Sequence, residues 1–211
     1  MARKPDKGIR ERILTVASSL FQEHGPDGVG LQQIINESGC GKNVLYREFG
    51  SKDELVVAYL DRCRQDWFDL VQQTVRPLAD DPAGQLIAIV GAVAERSEAP
   101  GFRGCPLRNS LPSFPEHDHP ARRLIVDYHF ARRDLLRELA EQAGARDPRA
   151  LADKIMLLID GLHASGAVLG EQGAGETAVA FATEAVSAAV GGSRVATPLG
   201  DSRVASPGIP A

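Results

Sequence analysis

Between Leu31 and Phe49 the chain has room for two helices of about eight residues, with Gly39-Cys40-Gly41 as the turn between them. Leu31, Ile34 and Ile35 give the first segment an apolar edge, and Val44, Leu45 and Phe49 give one to the second. Gly39 supplies the left-handed residue that ends the first segment. Ahead of them, Ile9, Ile13, Val16, Ala17, Leu20 and Phe21 recur at three- and four-residue spacing, so a helix is expected from Ile9 to near His24. The breaker cluster Gly25-Pro26-Asp27-Gly28 should end it. Three short helices, the last two joined by a tight glycine-containing turn, are the minimal unit that reads DNA.

The third segment suits that task mechanically. Leu45 and Phe49 lie inward with Val44 beside them, which leaves Lys42, Asn43, Tyr46 and Arg47 to point outward. An amide at Asn43 can make paired hydrogen bonds to adenine, and Arg47 can address guanine or a phosphate. Lys42 and Lys52 read as phosphate contacts, which position without specifying. The bland alternatives are that Tyr46 packs and that Arg47 pairs with Glu48 or Glu11. The N-terminal arm adds five cations (Arg3, Lys4, Lys7, Arg10, Arg12) against Asp6 and Glu11, a balance that suits a phosphate backbone. The whole chain carries a net charge of −4, so the basic character is local.

The run from Ser38 to Leu55, with Gly39, Leu45-Tyr46, Phe49 and Ser51-Lys52-x-x-Leu55, resembles the recognition region of TetR-family repressors. Upstream, Ile13, Ala17, Leu20-Phe21, Gly25 and Ile34 match that family's first two helices, so the resemblance covers about Ile9 to Leu60. It implies phosphate contacts from Tyr46 and Lys52, and DNA contact from the second helix and the turn, where Gln32, Gln33 and Gly41 stand. The chain departs from the pattern at Val29 and Gly30, at Ile35 and at Gly41, and two hydroxyls that could hold phosphates are missing. Glu48 on the recognition helix either repels the backbone or reads cytosine.

Beyond Phe49 the pattern stays helical. Ser51 should cap a helix running to about Val75, with Asp53 and Glu54 in its first turn. Further helices are expected at 83–97, 106–113, 120–142, 149–169 and 175–190, giving an all-α fold of about nine helices. It divides into a DNA-binding helix-turn-helix domain (1–50), a helical ligand-binding and dimerisation domain (51–190) and a disordered tail (191–211) rich in Gly, Pro, Ser and Ala. A small-molecule pocket is expected between the fourth helix and those after Pro82. Trp67, Phe68, Val71, Val90, Phe102, Leu107, Phe114 and Tyr128 are its candidate walls, with Asn109, Tyr128, His129 and His163 as polar handles. Leu151, Ile155, Leu158, Leu162, Ser165 and Leu169, followed by Phe181 and Ala185, form the candidate dimer face, although an internal core gives the same pattern. A two-fold dimer would present two recognition helices to a palindromic operator in double-stranded DNA.

Other chemistries find less support. No phosphate loop, nucleophile elbow or H-E-x-x-H motif occurs, so an enzyme is not expected, and neither is a cofactor. Cys40, Cys63 and Cys105 form no C-x-x-C pair; they read as buried thiols or as one redox-responsive pair. Glu116-His117-Asp118-His119 is better read as a cap, Asp118 before Pro120, than as a metal site. No apolar run is long enough for a bilayer, and the N-terminus lacks the apolar core of a signal peptide, which points to the cytoplasm. A helical module that binds ligand or protein without sequence-specific DNA binding is the remaining alternative.

Overall fold

The structure, a computed structural model, describes residues 8–191. The described residues hold nine α-helices and no strand. They are α1 (Ile9–Gly28), α2 (Leu31–Ser38), α3 (Lys42–Phe49), α4 (Lys52–Val75), α5 (Pro82–Glu98), α6 (Pro106–Ser110), α7 (Pro120–Gln142), α8 (Pro148–Leu169) and α9 (Gly175–Val190). Short 3₁₀ turns follow α4, α6 and α8. The expected tail lies, but for Gly191, outside the described residues, as do Arg3, Lys4, Asp6 and Lys7 of the basic arm.

The helix starts follow from local chemistry. Ser51 Oγ accepts from the Glu54 N–H at 3.1 Å, Asp81 from Gly84 at 2.8 Å and Asp147 from Ala150 at 2.9 Å. Each satisfies a backbone donor that the first helical turn leaves without a partner. Pro82, Pro120 and Pro148 occupy the first helical positions, where a missing N–H costs nothing. Two boundaries differ from expectation. The first helix does not stop near His24 but kinks at Gly25 (φ 74°, ψ 160°), and Pro26 starts one more turn to Gly28. The cap of α7 is His119, whose Nδ1 accepts from Ala121, rather than Asp118. Pro120 at N1 leaves its immediate neighbour in the capping position.

The first three helices pack around Ile13, Ala17, Phe21, Ile34, Leu45 and Phe49, all buried. In the C-terminal bundle α5 is central, packed against α4, α7, α8 and α9. Gly166 lets α8 close on α5, since a Cβ there would lie 2.5 Å from the Ser97 carbonyl oxygen. The long α4 serves both halves, and a contact between α1 and α6 joins them again. There the Arg103 guanidinium donates to the Glu23 carbonyl at 2.6 Å.

Candidate DNA interface

Gly39 takes the left-handed conformation (φ 63°, ψ 19°) and turns the chain from α2 into α3. The inward faces of both helices are then fixed. Ile34, Leu45 and Phe49 are buried, and the Ser38 hydroxyl is buried but satisfied by the Ile34 carbonyl at 2.6 Å. Arg12 reaches across from α1 to the Ser38 carbonyl at 3.0 Å, and Arg10 covers the Phe49 ring at 4.1 Å while donating to the Glu48 carbonyl. These contacts hold the turn to α1. At its far end α3 stops at Gly50 (φ 63°, ψ −53°), where a Cβ would press on the Glu54 carboxylate. The sequence reading passed over Gly50, although a glycine directly before a Ser51 cap is a signal in itself.

The outward face carries Lys42, Asn43, Tyr46 and Arg47, all exposed. Lys42 Nζ lies 6.0 Å from the centre of the Tyr46 ring, which aligns two groups suited to one phosphate. Arg47 donates to Glu48 Oε1 at 3.0 and 2.7 Å, so the pairing offered as the bland alternative is present. Arg47 is exposed and Glu48 half-buried, and a pair at such a surface is worth little. Arg47 therefore stays available to a phosphate or a guanine. Gln32 is exposed and Gln33 half-buried; each amide bridges to the residue one turn on, Gln32 to Asn36 at 2.9 Å and Gln33 to Glu37 at 3.0 Å. Lys52 is half-buried at the start of α4. Neither Gly30 nor Gly41 caps its helix with a side chain. The backbone donors at the starts of α2 and α3 thus remain open to an anion, without the two hydroxyls noted above.

Comparison with known proteins finds the same likeness. The model for bacterial regulatory proteins, tetR family, matches residues 13–59, from α1 into α4. The transcriptional regulator LmrA of Bacillus subtilis is 44% identical over 57 residues, 26% of this chain and 30% of that protein. The transcriptional activator FasR of Mycolicibacterium smegmatis is 34% identical over 79 residues, 37% of this chain and 36% of that protein. The matches thus span about a third of these curated relatives. The crystal structure of a TetR-family regulator from Streptomyces coelicolor superposes with a TM-score of 0.82 at 28% identity, covering 87% of this chain and 96% of that one. Residues 13–59 thus match the tetR-family model, and the chain shares the fold of a TetR-family regulator.

The matched segment ends within α4, and the rest of the chain has its own features. A cavity of about 90 Å³ opens among α4, α5, α7, α8 and the loop into α6. Of the expected walls, Trp67, Phe102, Leu107, Tyr128 and His163 line it. Val71 and Val90 lie in the packed core, Phe68 stands half-buried against Trp67, and Phe114 stacks on His119 at 4.6 Å, so these four belong elsewhere. Asn109 lines a neighbouring cavity of about 200 Å³ under the α1 kink. His129 stays half-buried, with its edge toward Tyr128. Cys63 and Cys105 also line the first cavity as free thiols. Burial pushes the Cys63 thiol up to about 12, which opposes thiolate reactivity. Burial likewise raises both Tyr59 and Tyr128. His163 is pushed down to about 3, by burial first and then by the charges of Arg132, Arg96 and Arg108.

The expected dimer stripe needs correction. Leu151, Ile155 and Leu162 are buried inside the protomer, and Leu158, Ser165 and Ala185 are half-buried. Of the expected set, Leu169 and Phe181 are exposed. The outer face of α8 is instead Leu157, Gly161, Ala164 and Val168, with Leu157 72% and Val168 82% exposed. A mean of small and large apolar residues occupies both sides of α8, so periodicity alone placed the outer face about one position from where packing on α5 puts it.

Among the described residues no helix is long and apolar enough to cross a membrane, and no cluster of three or more potential metal ligands occurs.

Proposed function

We propose that the chain is a DNA-binding transcriptional regulator that acts as a homodimer on a palindromic operator and releases it when a small molecule binds the C-terminal bundle. One observation carries the reading: α3 is anchored by Leu45 and Phe49 and presents Lys42, Asn43, Tyr46 and Arg47 together to solvent, within the segment matched to the family. The division of labour follows the expected boundaries, with residues 1–50 reading DNA and 51–190 binding ligand and partner. Binding rather than turnover is its mode of action. LmrA is described as a regulator and FasR as an activator, so the family's names span both signs. Repression is the simpler mechanism, because a bound dimer needs no further surface to block a promoter.

Dimerisation supports the reading through α8 and α9. The contiguous face of Leu157, Gly161, Ala164 and Val168, with Phe181 beside it on α9, is apolar and exposed in the protomer, and a second copy would bury it. An effector would act by favouring a dimer geometry that spaces the recognition helices wrongly for DNA.

The test is selection of duplex DNA from a random pool by the purified chain, with its mass in solution measured alongside. A palindromic consensus and a dimer mass are expected. No enrichment at moderate salt would overturn the DNA-binding reading and leave the helical bundle as a ligand- or protein-binding module. A monomer mass with unaltered enrichment would remove the dimer alone.

A further inference from the structure

The inward face of α7 runs Ala121, Ile125, Tyr128, Arg132, Leu136 and Ala140, and the fourth of these is an arginine. Arg132 is fully buried. Its guanidinium lies 5.0 Å from the Trp67 ring and 5.2 Å from the Tyr128 ring, two of the aromatic walls of the cavity. None of its three nitrogens makes a hydrogen bond, and its nearest carboxylate oxygen, Asp160 Oδ1, stands 3.7 Å away and is itself without a hydrogen bond. Two more buried polar atoms nearby lack partners: Trp67 Nε1, which can only donate, and His163 Nδ1. Buried polar groups are ordinarily hydrogen-bonded, and a buried ion pair in which neither partner's facing atom makes a hydrogen bond is costly enough that its retention calls for an explanation.

The unmet groups are mostly donors, and the charges around the cavity are mostly positive. Arg96 lines the cavity and is exposed, and the low basicity of His163, which also lines it, registers Arg132, Arg96 and Arg108 together. Asp66 on the rim and Asp160 behind the rings offset part of this. Flat walls are supplied by Trp67 and Tyr128, edge to face at 5.8 Å, and by Phe102 stacked on His163 at 6.0 Å. The cavity is below the ~300–1,000 Å³ usual for drug-sized ligands, which favours a body of one ring.

We propose that the effector of this cavity is a small aromatic carboxylate, its ring among Trp67, Phe102 and Tyr128 and its charge held by Arg96 at the rim, in the positive field of Arg132, which stands outside the lining against two of those rings. This rests on the reading of the cavity as the effector site. It goes beyond that reading in fixing the ligand's charge and shape.

Trp67 is the only tryptophan in the chain, so its fluorescence reports the cavity directly. The full chain is titrated with three probes of one size and three charges: benzoate, benzamide and benzylamine. Benzoate should give a saturable change, benzamide should bind about ten- to a hundredfold more weakly, and benzylamine should give none. In Arg96→Gln, an exposed substitution that leaves the core intact, the preference for benzoate over benzamide should shrink roughly tenfold. Arg132→Met should also shrink it, by a smaller factor, through loss of that positive field. No saturable response to benzoate, or equal binding of benzamide or benzylamine, overturns the proposal. Measuring operator affinity with each probe separates the two layers. Release of DNA by a neutral or cationic probe would sink the anion assignment and keep the effector reading. Charge-selective benzoate binding with DNA affinity unchanged would keep an anion site and remove its role as effector.

Discussion

The three N-terminal helices and the C-terminal bundle treat polarity in opposite ways. Around α2 and α3 the interior is apolar, its one buried hydroxyl (Ser38) is satisfied, and the chemistry lies outside on Lys42, Asn43, Tyr46 and Arg47. In the bundle the chemistry is inside, on Arg132, Trp67 and His163, and it is unsatisfied. The first arrangement suits a partner too large to enter, and the second suits one small enough to be enclosed. Surface donors lose little by waiting in water, whereas buried ones destabilise the protein until something pairs with them.

The strongest way to break this contrast is to truncate the scaffold. Leu45→Ala should cost about 2–5 kcal/mol of stability and abolish operator binding, because Leu45 is fully buried where α3 meets its neighbours; thermal unfolding with a binding assay checks both. If Leu45→Ala unfolds no more easily than the native chain, the N-terminal unit is not the packed support described.

The bundle should respond to acid. His163 has a depressed pKa in the folded chain and an ordinary one when unfolded, so below pH ~6.5 the unfolded state binds the extra proton. The stability it contributes is complete above pH ~6.5 and is lost as pH falls, at up to about 1.4 kcal/mol per pH unit. Urea unfolding of native chain and His163→Gln across pH 7 to 4 should show a shallower slope in the variant. Equal slopes would mean that His163 is not kept neutral by its surroundings.

Arg132→Met sharpens the comparison further, because a buried ion pair replaced in the bundle should not act like a leucine removed from the scaffold. Alone it strips Asp160 of its ion-pair partner and should destabilise; made together with Asp160→Asn, it should leave stability unchanged or raise it, by about 1–4 kcal/mol at most, since the buried ion pair is then replaced as a whole. A loss of several kcal/mol in the double variant would show that the pair is structural cement. On the DNA face, Asn43→Ala should cost about 1–3 kcal/mol and relax one base position, whereas Lys42→Ala should weaken all sequences alike and reduce the salt slope by about 1. Binding isotherms at several salt concentrations separate the two. The smallest effect is expected from Gly41→Ser, which restores a hydroxyl cap where the nearest side-chain atom leaves 4.0 Å of room. It should add a few tenths of a kcal/mol to stability and tighten DNA binding slightly.

Much of this protein was legible from its residues because the governing interactions are local. The helix start at Ser51 and the turn at Gly39 depend on groups within a few residues of each other. So does the outward face of an eight-residue helix held by Leu45 and Phe49. The exceptions, Gly25 and His119, are places where a proline lets helix resume or displaces the cap by one residue. What tertiary structure alone decided are facts about which side of a helix meets what. On α8, apolar residues lie all around, so only packing against α5 assigns Ile155 and Leu162 to the core and leaves Leu157 and Val168 outside. On α7, Arg132 was visible at the spacing of buried residues. That its guanidinium lies behind Trp67 and beyond hydrogen-bonding reach of Asp160 depends on how α4, α7 and α8 come together, and no local rule contains those distances.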